Sequence, residues 1–421
     1  MNAAEQSVSS GRTRRALAAI AALAALGIST FSFLRPTNFR GYDEWLIFWM
    51  LSRKLISFPY ANRPLGLTWH VPAWLVAPDQ LWGFLLVHAF WLTAVGVFVF
   101  LIVRRLLPGR PDLAVLGGAL AIAWMPSEDT RVATVQMIQY SGCTAGALLA
   151  TWLLLEASHR RSCALLLAAA AAATITALSF EATLPILGMG AVLLLVGRTR
   201  EGARRLLPWA GGWLVLIGAL GLRAILPVVT NLGGLGYQLS GPLRPPRGVL
   251  RHTGIQLRYH LGPLADLRVS ELAEPAVWLA VLAFVAGLAV ATRGQREWSR
   301  GPAARTAIAV AGVLGLVHAV LAYLPFLVTR GVRGPVRTEF LSAAGIAVLI
   351  AAVVVLIASL VPTRARLLAV AVLGAWVVAL GTGRTIAMQR EFDGSLYANQ
   401  RSTLQQISAT APGLQPHTLV V

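Results

Sequence analysis

The stretch Leu81-Trp-Gly-Phe-Leu-Leu-Val-His-Ala-Phe-Trp-Leu-Thr-Ala-Val-Gly-Val-Phe-Val-Phe-Leu-Ile-Val103 contains no Asp, Glu, Lys or Arg, and Arg104-Arg105 follows it at once. An apolar run of that length, closed by a pair of arginines, is long enough to cross a hydrocarbon layer about 30 Å thick as a helix. Within lipid the backbone must satisfy its own polar groups, so a helix is the expected form. A membrane β-barrel would show short alternating strands. Runs such as Ala164–Ala173 and Val353–Leu356 do not alternate.

Working outward from this segment, similar runs recur at 16–34, 113–126, 138–156, 163–180, 182–197, 206–228, 276–292, 307–328, 341–361 and 367–383. The expected fold is an all-α polytopic membrane protein with about eleven spans. The apolar share of 57%, the charged share of 13% and the mean hydropathy of +0.68 agree with that class, since soluble domains carry about 25% charged residues. Residues 1–15 form a basic cytoplasmic start and 16–383 the membrane domain. Residues 384–421 form an outer tail, helical near 384–409. Thr418-Leu-Val-Val421 in that tail reads as the start of a strand, which leaves open both a short tail and the beginning of a further outer domain.

Arginine sets the orientation. Lys54 is the only lysine among 36 basic residues, and the net charge is +19. This arginine, alanine and leucine bias is the composition expected of a high-GC bacterial genome. With the N-terminus inside, the loops 104–112, 157–162, 198–205, 293–306 and 362–366 face the cytoplasm and hold 15 arginines. The short outer loops hold few, as the positive-inside rule requires. The C-terminus is then outside, and the membrane is the inner (plasma) membrane. Basic residues in membrane loops suit lipid phosphates rather than nucleic acid. Twelve of the 17 acidic residues face outward, and so do two long loops, 35–80 and 229–275. Polar chemistry therefore gathers on the outer side.

Each long outer loop contains an interfacial helix. In the first, Asp43-Glu44 opens the amphipathic stretch Trp45–Phe58, with Trp45, Phe48 and Trp49 expected on one side and Arg53, Lys54 and Ser57 on another. A helix N-terminus favours the negative charge of the acid pair. Tyr60-Ala-Asn-Arg63-Pro-Leu-Gly66 follows. The apolar piece 67–78, broken by Pro72, reads as re-entrant or interfacial. In the fourth outer loop, a helix over 247–261 places Arg247, Arg251 and Arg258 within about 40° of one another, beside a Leu250/Leu257/Leu261 stripe. Arg330, Arg333 and Arg337 share a short outer loop with Glu339. Arg63 and these arginines are candidates for holding phosphate, because the guanidinium fork bonds phosphate oxygens in pairs and keeps its charge.

Glu128 and Asp129 offer a second acidic site able to take a divalent cation. Glu181, in a tight outer turn, either joins that second acidic site or takes a buried paired role, for which Arg223 is a candidate partner. No cofactor is implied, no metal-ligand spacing appears, and Cys143 and Cys163 fall near opposite membrane faces, too far apart to bridge.

A long outer loop after the first span, with an acidic pair just past that span and an interfacial helix next, resembles the C-type (GT-C) superfamily of integral membrane glycosyltransferases. Asn62-Arg63-Pro64-Leu65 is similar to segments of bacterial members. The resemblance implies transfer of a sugar from a polyprenyl-phosphate donor to a hydroxyl of a glycan, lipid or protein acceptor. It also implies Asp43, or else Glu44, as the general base. Three other classes fit the same topology. A glycan polymerase or ligase would centre on the arginine-rich later loop. A transporter or lipid flippase would place ionisable groups at mid-membrane, often in repeated halves, and neither is seen. A non-catalytic membrane subunit needs no motif at all.

Overall fold

The computed structural model describes residues 3–32, 42–55, 63–78, 80–124, 134–229, 244–265, 270–293, 302–328, 337–391, 394 and 398–410. Among them every regular element is a helix. These are α1 (Ala3–Phe31), α2 (Tyr42–Ser52), α3 (Val71–Val76), α4 (Leu81–Leu106), α5 (Pro111–Ala123), α6 (Thr134–Arg160), α7 (Cys163–Ser179) and α8 (Leu184–Leu195). They continue as α9 (Arg200–Val229), α10 (Pro246–Leu261), α11 (Pro275–Thr292), α12 (Pro302–Val328), α13 (Ala343–Ala358), α14 (Thr363–Glu391) and α15 (Ala398–Thr410). Proline opens several of them at the first or second position, where its missing N–H has no intrahelical partner to lose.

Among the described residues eight helical segments are long and apolar enough to cross a membrane, within α1, α4, α6, α9, α11, α12 and α14, and in Phe340–Ala358, which joins the end of a 3-10 segment to α13. The remaining three expected spans coincide with shorter apolar helices, Pro111–Ala123, Cys163–Ser179 and Glu181–Leu195. At 1.5 Å per residue, the 13 residues of α5 reach only about 20 Å. The reason that helix can be short lies in its surroundings. Every residue from Asp112 to Ala123 is buried, enclosed by α1, α4, α11, α13 and α14. A helix wrapped in protein does not have to match the lipid thickness.

Neighbours in sequence pack antiparallel, as α4 with α5, α6 with α7, and α12 with α13. The loops therefore alternate between two ends of the bundle. One end carries Arg63, Glu181 and α10; the other carries Arg110, Arg160 and Arg198. The α12–α13 crossing is close because Gly315 and Gly345 face each other: a Cβ at Gly315 would sit 2.7 Å from the Gly345 carbonyl oxygen. Small residues allow such backbone approach where lipid supplies no hydrophobic drive to associate.

At the Arg110 end, Arg110 Nε donates to Asp112 Oδ1 at 3.0 Å and Nη2 to Oδ2 at 2.6 Å, both residues buried. The pair neutralises a carboxylate at the start of the enclosed helix. The strand expected at Thr418–Val421 lies outside the described residues. Cys143 and Cys163 are both free.

Candidate functional site

The first loop is stitched onto three helices at the Arg63 end. Leu65 N–H donates to Leu178 O at 3.3 Å, at the end of α7. Four residues on, Trp69 of the 3-10 turn Thr68–His70 lies in a notch on α6. A Cβ at Gly142 would fall 2.7 Å from Trp69 Cβ, and one at Gly146 would fall 2.6 Å from its Cζ2. Trp91 Nε1–H of α4 donates to Trp69 O at 3.3 Å, and the two indoles meet edge to face at 5.0 Å. His70 Nε2 bonds Val135 O at 2.9 Å. The apolar segment 67–78 is therefore wedged into the bundle as a 3-10 turn and the short helix α3.

This wedge sets Arg63 over the α7–α8 turn. Its Nε donates to Glu181 Oε2 and its Nη2 to Glu181 Oε1, both at 2.7 Å. The guanidinium carbon stands 4.7 Å from the Phe180 ring centroid. Both side chains are mostly enclosed, at 10% and 14% exposed. Two-pronged pairing is the strongest arrangement for these groups, and it answers the need of a carboxylate set between two apolar helices. The expected partner, Arg223, does not fill that place. Arg63 takes it instead, on a loop that Leu65 and Trp69 also tie to α7 and α6.

Under the pair, the adjoining end of α6 buries Gln136, Gln139, Ser141 and Thr144. Gln139 Nε2–H donates to Ser179 O at 3.1 Å, and His88 Nδ1 lies 3.3 Å from Ser141 Oγ. The result is a polar patch inside an otherwise apolar bundle, on the same side as the Arg63–Glu181 pair.

The helix α2 docks beside this patch. Ile47, Met50 and Leu51 are buried with Leu67, Ala73, Phe84, Val135 and Ile138, and Phe48 packs against Trp74 and Phe84. The expected grouping of Phe48 with Trp49 on one face gives way to this packing, with Trp49 left exposed. Asp43 and Glu44 stand in the first turn of α2; their side chains lie outside the described residues. Glu128, Asp129, Arg330 and Arg333 also lie outside them, as does the side chain of Arg337, which opens the 3-10 segment Arg337–Ser342 against α12.

The helix expected over 247–261 is α10. Gln256 and His260 turn inward, while Arg247, Arg251 and Arg258 are exposed on the opposite side. Gln256 Nε2–H donates to Ser342 Oγ at 2.7 Å, and Ser342 Oγ–H donates to Ala319 O at 2.8 Å. Trp124 Nε1–H holds His260 O at 3.1 Å. Burial holds the His252 imidazole below its ordinary pKa, and the nearby Arg244 and Arg251 charges lower it further.

Of the candidates read from the sequence, the structure joins Arg63 and Glu181, which had been assigned separate roles. It adds Trp69, Gln139, Gln256 and Ser342. The Gly142-xxx-Gly146 spacing marks a place of close approach on α6, but does not name Trp69 as what fills it. Among the described residues no three of His, Cys, Asp and Glu come together as a metal-ligand set. Comparison of the chain with protein-family models, curated proteins and solved structures finds no match.

Proposed function

We propose that this chain is a membrane glycosyltransferase that moves a sugar from a polyprenyl-phosphate donor to an acceptor hydroxyl at the outer face of the plasma membrane. In this reading all eleven apolar helices span or nearly span the bilayer, the N-terminus is inside and the C-terminus outside. The Arg110 end, with Arg160, Arg198 and Arg204, faces the cytoplasm.

One observation supports the reading most. The helix that carries Asp43-Glu44 is docked by Ile47, Met50 and Leu51 next to the polar end of α6, at the end of the bundle where Arg63 and Glu181 meet. An acid pair, a buried polar patch and a lipid-facing wall thus share one rim. Asp43, with Glu44 in reserve, takes the proton from the acceptor hydroxyl, whose oxygen attacks the anomeric carbon. The bond from that carbon to the phosphate oxygen breaks, and the polyprenyl phosphate leaves without needing a proton. Arg330, Arg333 and Arg337 stabilise the charge on the departing phosphate. Arg63, already held by Glu181, positions the loop between α2 and α4.

The exposed Arg247, Arg251 and Arg258 stripe favours a second reading, a glycan polymerase or ligase. One assay separates the two: sugar transfer from polyprenyl-phosphate donors in membranes holding the parent, Asp43→Asn, Glu44→Gln, or Arg247→Gln/Arg251→Gln/Arg258→Gln. The transferase reading expects Asp43→Asn or Glu44→Gln to lose about a hundredfold or more of the rate. Full activity in both acid variants, with loss in the arginine triple variant, transfers the assignment to the ligase.

A further inference from the structure

Between α4, α6, α8, α12 and α13 runs an apolar slot of about 450 Å³, within the range of about 300–1,000 Å³ that small-molecule sites occupy. Val103, Leu148, Met189, Leu193, Val310 and Leu314 form much of its wall. It extends from Leu107, Gly197 and Ala303 at the Arg110 end to His318 and Ala344. Along α12, Ala303 to His318 is about 22 Å at the helical rise, the scale of one extended lipid chain. Thr306 and Val310 are exposed on its flank, whereas Ala344 and Gly345 are buried and close the far end. The slot is thus blind at His318 and open sideways and toward the Arg110 end.

The open end is basic. Arg104 and Arg105 directly precede the lining residues Leu106 and Leu107, and Arg198 directly follows the lining residue Gly197. Glu156 is shared by Arg105 at 3.6 Å and Arg160 at 2.9 Å, so one carboxylate is set against two guanidinium groups. Arg198 is exposed. At the blind end His318 Nε2 has no hydrogen-bond partner among the described residues, and the described lining residues beside it, Ala344 and Gly345, carry no charge.

We propose that this slot binds one acyl chain of an anionic phospholipid from the leaflet at the Arg110 end, with the phosphate against Arg105 and Arg198 and the methyl terminus toward His318. The chain alone supplies little selectivity, because a lipid tail leaves one apolar environment for another. Discrimination comes from the head group: each arginine near a membrane surface contributes about 1 kcal/mol toward anionic lipid, roughly a fivefold preference. The site does not depend on the transferase reading, since it lies at the other end of the bundle.

The test reconstitutes the full chain in phosphatidylcholine vesicles doped with phosphatidylglycerol, then measures both lipids retained on gentle extraction by mass spectrometry. The parent is expected to enrich phosphatidylglycerol. Arg198→Gln is expected to lower that enrichment about fivefold. Ala307→Trp, whose indole fills the slot, is expected to abolish it. Should Ala307→Trp lose its helical circular dichroism, Val310→Trp on the exposed flank replaces it. Unchanged enrichment in Arg198→Gln, or in a folded slot-filling variant, overturns the site. Preferential retention of an isoprenoid phosphate added at equal doping overturns the acyl-chain assignment.

Discussion

Arg63 and Glu181, 118 residues apart in the chain, close a two-pronged ion pair with both N–O separations at 2.7 Å. The pair ties the loop before α4 to the turn between α7 and α8, and it is mostly enclosed. Removing one partner leaves a charge with little water to solvate it, so Arg63→Met or Glu181→Leu is expected to destabilise by about 3–5 kcal/mol. The double variant Arg63→Met/Glu181→Leu is expected to recover much of that loss, because no orphaned charge remains. Thermal unfolding in detergent reads all three, and a double variant as unstable as the worse single one rules out charge orphaning as the cause.

The Trp69 notch makes a steric prediction. A methyl group at Gly146 would meet Trp69 Cζ2 at 2.6 Å and Thr176 Oγ1 at 2.5 Å. Gly146→Ala is expected to cost about 1–3 kcal/mol through overpacking, and to shift tryptophan emission as the indole is pushed out of the notch. Gly188→Ala, which meets nothing within 4 Å, serves as the matched control and is expected to be near neutral.

The latch of α10 onto α12 and α13 depends on a single hydroxyl. Ser342 Oγ accepts from the Gln256 amide and donates to Ala319 O. Ser342→Ala strands the buried Gln256 amide, at a cost of about 1–3 kcal/mol. Amide hydrogen exchange across 246–261 is expected to quicken in this variant and to stay slow across α5. Equal exchange in parent and variant would mean that the Trp124–His260 bond and the packing of Val249, Leu257 and Leu261 suffice to hold the helix down.

His252 provides a pH prediction. Its pKa in the folded protein is lowered, by burial first and then by Arg244 and Arg251. The folded form therefore takes up the proton less readily than the unfolded chain. The stability this group contributes is intact above the ordinary imidazole pKa of about 6.5 and is lost as pH falls through the lower folded value. Arg251→Gln is expected to move the His252 midpoint back up toward the ordinary value, read by NMR titration of the imidazole. A midpoint that does not move removes Arg251 as a cause.

Much of the architecture was legible in the apolar runs, because crossing a membrane imposes a local requirement on length and composition. The run 81–103 lies within α4 and the arginine stripe at 247–258 within α10, since each follows from a period carried by consecutive residues. The span read at 113–126 was less legible. Its shortness makes sense only once five neighbouring helices are seen to enclose α5. The aromatic side of α2 was misjudged in the same way, since Phe84 and Trp74, both distant in sequence from Phe48, decide which face is covered.

By itself, then, the amino-acid order determined that this is a helical membrane protein with basic residues crowded into alternate loops. Local hydropathy and charge suffice for that, because each segment meets the bilayer on its own. Only the tertiary structure decided that Glu181 belongs to Arg63, that Trp69 fills the Gly142–Gly146 notch, and that five helices leave an apolar slot ending at His318. Those are relations between segments far apart in the chain, set by which side chains fit together when the helices pack, and no single stretch of sequence encodes the fit.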